Sequence, residues 1–188
     1  MNRLFVLVIL GAVAAPMGAA SAADVEDRRA IGFARALGGP AGLSFQYGAG
    51  NLIVESLLGL KVKSFSDDSD QGPTRTFIDF AVAGHFQMLL AKSASLTVGG
   101  RVNLGLGKTD AKEPTDVIQW GADIPIRVYW WPTKNIAIHS EFGVSILFGP
   151  EDGVLYGNGE VDEKGVTVRI FNGFGDPAFG HLGLSFWW

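Results

Sequence analysis

The sequence predicts an all-β fold: a closed, antiparallel, up-and-down transmembrane β-barrel of eight strands with a filled, polar interior. Three observations predict it. The chain is apolar and rich in glycine, with 47% hydrophobic residues and 26 glycines in 188 positions. Yet beyond its first residues it holds no apolar run of the roughly 20 residues that a helix needs to cross a bilayer. Long segments alternate apolar and polar residues with a period of two, as strands do. That alternation collects bulky apolar side chains on one face and Gly, Ala and charges on the other.

The N-terminus reads as an export signal. Arg3 supplies the positive start, Leu4 to Ala15 an apolar stretch, Pro16 and Gly18 a break, and Ala20-Ser21-Ala22 a small-x-small cleavage site. Residues 1–22 are therefore expected to be a signal peptide cleaved near Ala22, and residues 23–188 one barrel domain. No Cys stands at the site, which excludes a lipoprotein, and none stands anywhere else, which excludes disulfides and thiolate metal sites. Loss of Arg3 leaves 14 basic and 19 acidic residues, a net charge of −5. Nucleic acid is excluded as a partner, because its binding needs a basic footprint.

The strands follow in order. Ala30 to Leu37 is the first, although Arg35 shares a face with Ile31 and Phe33. Leu43, Phe45 and Tyr47 mark the second. Leu52 to Val62 is the third, with Glu55 and Lys61 on its polar face. Phe77 to Leu90 sets Ile78, Phe80, Val82, Phe86 and Met88 against Asp79, His85 and Gln87. Leu96 to Leu106 sets Leu96, Val98, Val102 and Leu104 against Thr97, Arg101 and Asn103. Ile118 to Trp130 sets Ile118, Trp120, Ile124 and Ile126 against Gln119, Asp123, Arg127 and Tyr129. Ile136 to Phe148 sets Ile138, Phe142, Val144 and Ile146 against His139, Glu141 and Ser145. Phe179 to Trp188 closes the chain. The four clearest apolar faces carry no charge, and Ser140 is their only polar residue.

Connections alternate in length. Short turns are expected at Gly48–Asn51, Lys92–Ala94 and Pro132–Asn135, and long polar ones at Ser64–Thr76, Gly107–Asp116 and Gly149–Asp176. Gly38–Ala41 is short but occupies the slot of a long one. Transmembrane barrels have short periplasmic turns and longer outer loops. With both termini inside, eight strands need three inner turns and four outer connections, in this order. Val166 to Phe171 also alternates and reads as one arm of an outer hairpin, with a ten-stranded count as the alternative. Pro125 sits mid-strand, where a closed barrel offers no free edge, and a bulge is the expected resolution.

Polarity decides between a soluble and a membrane barrel. An eight-stranded barrel is only just wide enough for side chains to fill. Trp120, Trp130, Phe80, Phe86, Phe142 and Phe148 with all the Ile, Leu and Val would overfill it. Inverted, the bulky residues meet lipid and the small face leaves room for charges. The inward set is then Glu55, Lys61, Lys63, Asp79, His85, Arg101, Asp123, Arg127, His139 and Glu141. Its four acids and four permanent bases suit an interior salt-bridge network that plugs the barrel rather than a conducting path. Tyr129, Trp130 and Trp131 before one turn, and Phe186, Trp187 and Trp188 at the end, would form an aromatic girdle at the inner interface.

On these features the chain, from Ala30 to Trp188, resembles the small eight-stranded bacterial outer-membrane barrels of the OmpA-like and OmpX-like group. The ending Leu182 to Trp188 carries part of the resemblance. It implies an assembly signal of Leu182, Leu184, Phe186 and Trp188 read by the outer-membrane assembly machinery, although such proteins usually end in Phe rather than Trp. It also implies outer-membrane lipid and lipopolysaccharide as surroundings.

Other motifs carry less. His139-Ser140-Glu141 invites a hydrolase reading, since some small outer-membrane barrels modify lipid A. Consecutive strand residues point to opposite faces, however, so His139 does not reach Ser140; an interior contact between His139 and Glu141 is expected instead. Asp67-Asp68-Ser69-Asp70 lacks a full calcium-loop spacing, and Gly173 to Ala178 fits a dinucleotide pattern without opening a helix. His85, His139 and His181 have no metal-ligand spacing. The expected function is that of a non-enzymatic integral outer-membrane protein, without cofactor or metal, with a structural or surface-interaction role through acidic outer loops. The alternatives are a lipid A-modifying hydrolase barrel and a soluble, periplasmic, lipocalin-like binder.

Overall fold

A computed structural model of the chain describes residues 25–67, 70–108, 116–149, 165–172 and 181–188. The export signal and Gly173 to Ala178 lie outside them. Among the described residues there are nine strands: β1 (Arg29–Arg35), β2 (Ala41–Ala49), β3 (Leu52–Asp67), β4 (Asp70–Leu90), β5 (Ala94–Lys108), β6 (Asp116–Thr133), β7 (Ile136–Gly149), β8 (Gly165–Asn172) and β9 (His181–Trp187). Each pairs antiparallel with its neighbours, and the pairing of β1 with β9 and of β6 with β7 closes the ring. Among the described residues no helix is long and apolar enough to cross a membrane.

Nine strands make eight staves. The inner half of β7 pairs with β9, from Ile136↔Phe186 to Glu141↔His181. Its outer half pairs with β8, from Gly143↔Asn172 to Gly149↔Gly165. β8 and β9 are thus successive stretches of one stave. The segment read from sequence as a hairpin arm does pair with β7, but it continues the eighth stave, and the ten-stranded alternative falls.

Closure gives every stave a hydrogen-bonding neighbour on each side, although β3 pairs with β2 only from Leu52 to Leu58 and the eighth stave pairs with β1 only through β9; the ring has no free edge strand of the kind an open sheet exposes. The long period-2 runs make this possible, because one register keeps an entire face on one side of the wall. The three short turns lie where expected, at Gly50–Asn51, Ala91–Ser93 and Lys134–Asn135. Gly50 takes φ +58° there, a conformation that suits glycine.

Three expectations change. Ser64–Thr76 is not an irregular loop: β3 and β4 continue as a hairpin out to Asp67↔Asp70, with a register shift between Ser64 and Ser66. The first strand ends at Arg35 instead of Leu37. Pro125 causes no bulge: β5 and β6 keep one register on either side of it, with Val98↔Ile126 and Arg101↔Asp123. The mismatch is absorbed by neighbouring glycines. Gly99 and Gly100 drop out of the ladder on one side, and Gly143 stands opposite Pro125 on the other. Gly143 has φ +154°, and a Cβ there would collide with the Ile124 carbonyl oxygen. Gly143→Ala is therefore expected to cost about 1–3 kcal/mol through backbone strain. Urea titration of the folded band on unboiled gels would read it; an unchanged midpoint would show that the backbone relaxes freely at this position.

Candidate functional site: the charged interior

Strand parity places the site. Even-numbered positions of β4, β5, β6, β7 and β9 face outward with Phe80, Leu104, Trp120, Ile124 and Leu184, all exposed. Odd-numbered positions face the interior, and there Asp79, His85, Arg101, Asp123, Arg127, His139 and Glu141 are buried, as is Glu55 of β3, each at most 5% exposed. The polarity is that of a soluble protein turned inside out. Lys61 and Lys63 lie in β3, but their side chains fall outside the described residues.

The centre is a four-charge cluster tying β3, β5, β6 and β7 across the lumen. Arg101 donates to both Glu141 oxygens, Nη1 to Oε1 at 2.5 Å and Nη2 to Oε2 at 2.6 Å. Arg127 donates to Glu141 Oε2 through Nε at 3.0 Å and Nη2 at 2.7 Å, and its Nη2 lies 2.6 Å from Glu55 Oε2. Ser44 donates to Glu55 Oε1 at 2.7 Å, Gln46 adds a bond at 3.1 Å, and His85 Nε2 lies 3.3 Å from Oε2. Burying an ion costs several kcal/mol, which only pairing and further hydrogen bonds offset. Two carboxylates against two guanidiniums, each with added partners, meet that condition.

Above this layer lies a plug that the sequence did not suggest. Residues Ala36 to Pro40, between β1 and β2, fold into the lumen and are all buried. Leu37 N–H donates to Glu141 Oε1 at 3.1 Å and Gly38 N–H to Asp123 Oδ2 at 3.3 Å. Asp123 also accepts from Asn103 at 2.9 Å. Side chains on Gly38 and Gly39 would collide with Ser145 and Asn103. The Gly-Gly-Pro content of a short connection in a long slot was the available signal.

Below it lies an apolar floor of Val25, Ala30, Ile53, Tyr129, Trp131, Ala137 and Trp187. Trp131 stacks on Tyr129 at 5.9 Å and tilts against Trp187 at 5.6 Å. Indole N–H groups of Trp131 and Trp187 donate to Ser95 and Ser185. This corrects the expected girdle. Tyr129, Trp131 and Trp187 are fully buried inside the barrel, while Trp130, Phe186 and Trp188 face outward. Leu182, Leu184, Phe186 and Trp188 form one exposed row.

The His139-Ser140-Glu141 stretch places His139 and Glu141 inside and Ser140 outside. The expected contact of His139 with Glu141 is replaced: both arginines hold Glu141, and His139 lies against Tyr129, ring centroids 5.0 Å apart. His85 and Glu55 do make a contact between a histidine and a glutamate. No group of three or more His, Asp or Glu among the described residues is placed to hold a metal ion. Chemically the interior can neutralise charge and exclude water.

No family model and no curated protein matches the chain. Two solved structures do. Ail, the attachment invasion locus protein of Yersinia pestis, solved in complex with the heparin analogue sucrose octasulfate, matches at a TM-score of 0.50 and 13% identity, covering 87% of this chain and 99% of its own. The same protein in a phospholipid bilayer nanodisc gives 0.40 and 15%, covering 86% and 97%. The first likeness agrees with the eight-stave architecture and shows the fold.

Removing one member of the central cluster strands its partners. Glu141→Gln is expected to destabilise the barrel by about 3–5 kcal/mol. Glu55→Gln should cost more in the Glu141→Gln background than alone, because Arg127 then keeps neither carboxylate. Urea titration of refolded protein would measure both; strict additivity would mean that the four charges do not act as one unit. The architecture is that of a closed, inside-out, eight-stave antiparallel barrel, the fold it shares with Ail.

Proposed function

We propose that the chain is a non-enzymatic integral outer-membrane protein, exported by cleavage near Ala22, with a structural or surface-interaction role. The observation that supports this best is the inverted polarity: a sealed interior of paired charges within a wall whose outer side is Phe, Leu, Ile, Val and Trp. Hydrocarbon requires backbone groups to be satisfied internally, which a closed barrel does. A soluble lipocalin-like binder would carry the opposite polarity and an open cavity.

The floor and the plug leave little room for conduction, and the outward Ser140 gives His139 no nucleophile in this motif. The outer connections are left as the place for contact with a partner. They hold Asp67, Asp68 and Asp70 in one, Asp110, Glu113 and Asp116 in another, and Glu151, Asp152, Glu160, Asp162 and Glu163 in a third. Ail was solved with a sulfated ligand. The acidic connections of this chain do not suit a polyanion, so its surface partner is of a different charge class. The row Leu182, Leu184, Phe186 and Trp188 fits a signal for the assembly machinery, and lipopolysaccharide is the lipid around the outer half.

Cell fractionation is expected to place the protein in the outer membrane, with a folded band that migrates differently once boiled. Recovery in the soluble periplasmic fraction would overturn the reading. A second measurement uses single-tryptophan variants in vesicles containing brominated lipid. Trp120, Trp130 and Trp188 should be quenched strongly, and Trp131 and Trp187 weakly. Equal quenching of all five would contradict the buried floor.

A further inference from the structure

We propose that the outward side of β1 and β2 is a low sector of the barrel wall that takes a lipid A phosphate at Arg35, below the general level of the outer leaflet headgroups. The inference rests on the membrane reading above and adds a specific lipid contact to it.

The wall is uneven. Arg29 lies level with the chain end, where its backbone exchanges hydrogen bonds with Trp188, and opposite Tyr47. Arg35, the last residue of β1, stands six positions further along. At about 3.3 Å per residue and a tilt of roughly 40°, it sits about 15 Å above that rim. β6 is different. Its outward residues run from Trp130 to Ile118, twelve positions, so the same geometry gives about 30 Å. Apolar belts of such barrels are about 25 Å tall. Arg35 therefore lies within the belt on a sector only about half as high as β6.

Its side chain is on the lipid side. Ile31 and Phe33 share its face and are exposed, Ala34 beside it is buried, and its partner across the strand pair is Ala41, also exposed. Arg35 makes no hydrogen bond or ion pair among the described residues. Nor does the described chain rise above it: residues Ala36 to Pro40 turn into the lumen. β3 runs on to Asp67, and beyond Leu58 it pairs with β4 alone among the described residues.

A permanent cation in hydrocarbon draws water or a counterion to itself, or snorkels to the interface. On a low wall the nearest anionic groups are headgroups that sink to meet it. The planar guanidinium matches a phosphate with two parallel hydrogen bonds. Phe33, Leu43, Leu60 and Leu182, all exposed, surround this position with surface for acyl chains. With termini and short turns on the inner side, Arg35 belongs to the outer half, where the phosphate-bearing lipid is lipid A.

The test uses the purified barrel in phosphatidylcholine vesicles, with and without lipid A, and reads the temperature at which half the heat-resistant band is lost. Lipid A should raise this midpoint for the native protein and for Lys92→Gln, whose site is an inner turn. It should leave R35Q unchanged, while R35K keeps part of the rise. In phosphatidylcholine alone R35Q should be at least as heat-resistant as the native protein. An equal rise in R35Q, or a matching rise with phosphatidylglycerol in place of lipid A, would overturn the assignment. Native protein that fails to enter vesicles at all would overturn the membrane reading and this inference with it. Insertion with a response independent of Arg35 would remove only this inference.

Discussion

The barrel depends on neutralising charges that water does not reach. Glu55, Arg101, Arg127 and Glu141 come from four different staves and meet within hydrogen-bond distance near the axis. Each would be costly alone, and together they cross-link opposite sides of the wall. A hydrophobic centre of the same volume could be as stable. What the charges add is register. A one-residue slip of any stave would turn its charged residue toward the outer side and leave two partners bare. The cluster therefore selects one alignment of β3, β5, β6 and β7 among those that backbone pairing alone would permit.

Closure at the two ends follows from the segments that flank β1. On the inner side Val25 enters the floor beside Tyr129, Trp131 and Trp187. On the outer side Ala36 to Pro40 enters the lumen and gives its amides to Glu141 and Asp123. Both stoppers belong to chain just outside the same seven-residue strand. Among the described residues the lumen is consequently packed by backbone and aromatic rings as well as by charges.

Most of this order was legible in the sequence because parity is strict. From Phe77 to Phe148 the inward and outward lists read from alternation are those of the described chain except at Leu89, which was read as inward and which a register shift after Gln87 turns outward, and the three inner turns fall where expected. The failures have physical causes. Parity already set Tyr129 on the same face as Arg127, so its expected place in an outward girdle followed residue type against periodicity; Trp131 was misplaced in the same way. Ala36 to Pro40 carries no alternation, and its one local signal, Gly-Gly-Pro in a short connection, marks a tight turn without setting whether that turn exits or enters the lumen. Pairing choices within the interior were equally hidden. Glu141 had His139 two positions away but is held by Arg101 and Arg127, because bidentate guanidinium geometry satisfies a buried carboxylate better than a single ring nitrogen. Pro125 suggested a bulge, yet glycine on both flanking staves let the straight register survive.

The inward turn and the low wall are two sides of one choice. Five residues that enter the lumen cannot extend β1 and β2, so each amide given to Glu141 or Asp123 is taken from the height of the wall. The gain is local and electrostatic: two extra donors for carboxylates already crowded by arginine. The cost appears on the outside, where β1 stops at Arg35 while β3 and β6 run on. A charged residue at the end of the shortest stave is then consistent with the rest of the design. It marks the level to which the polar boundary must descend once the chain above it has been spent on filling the interior.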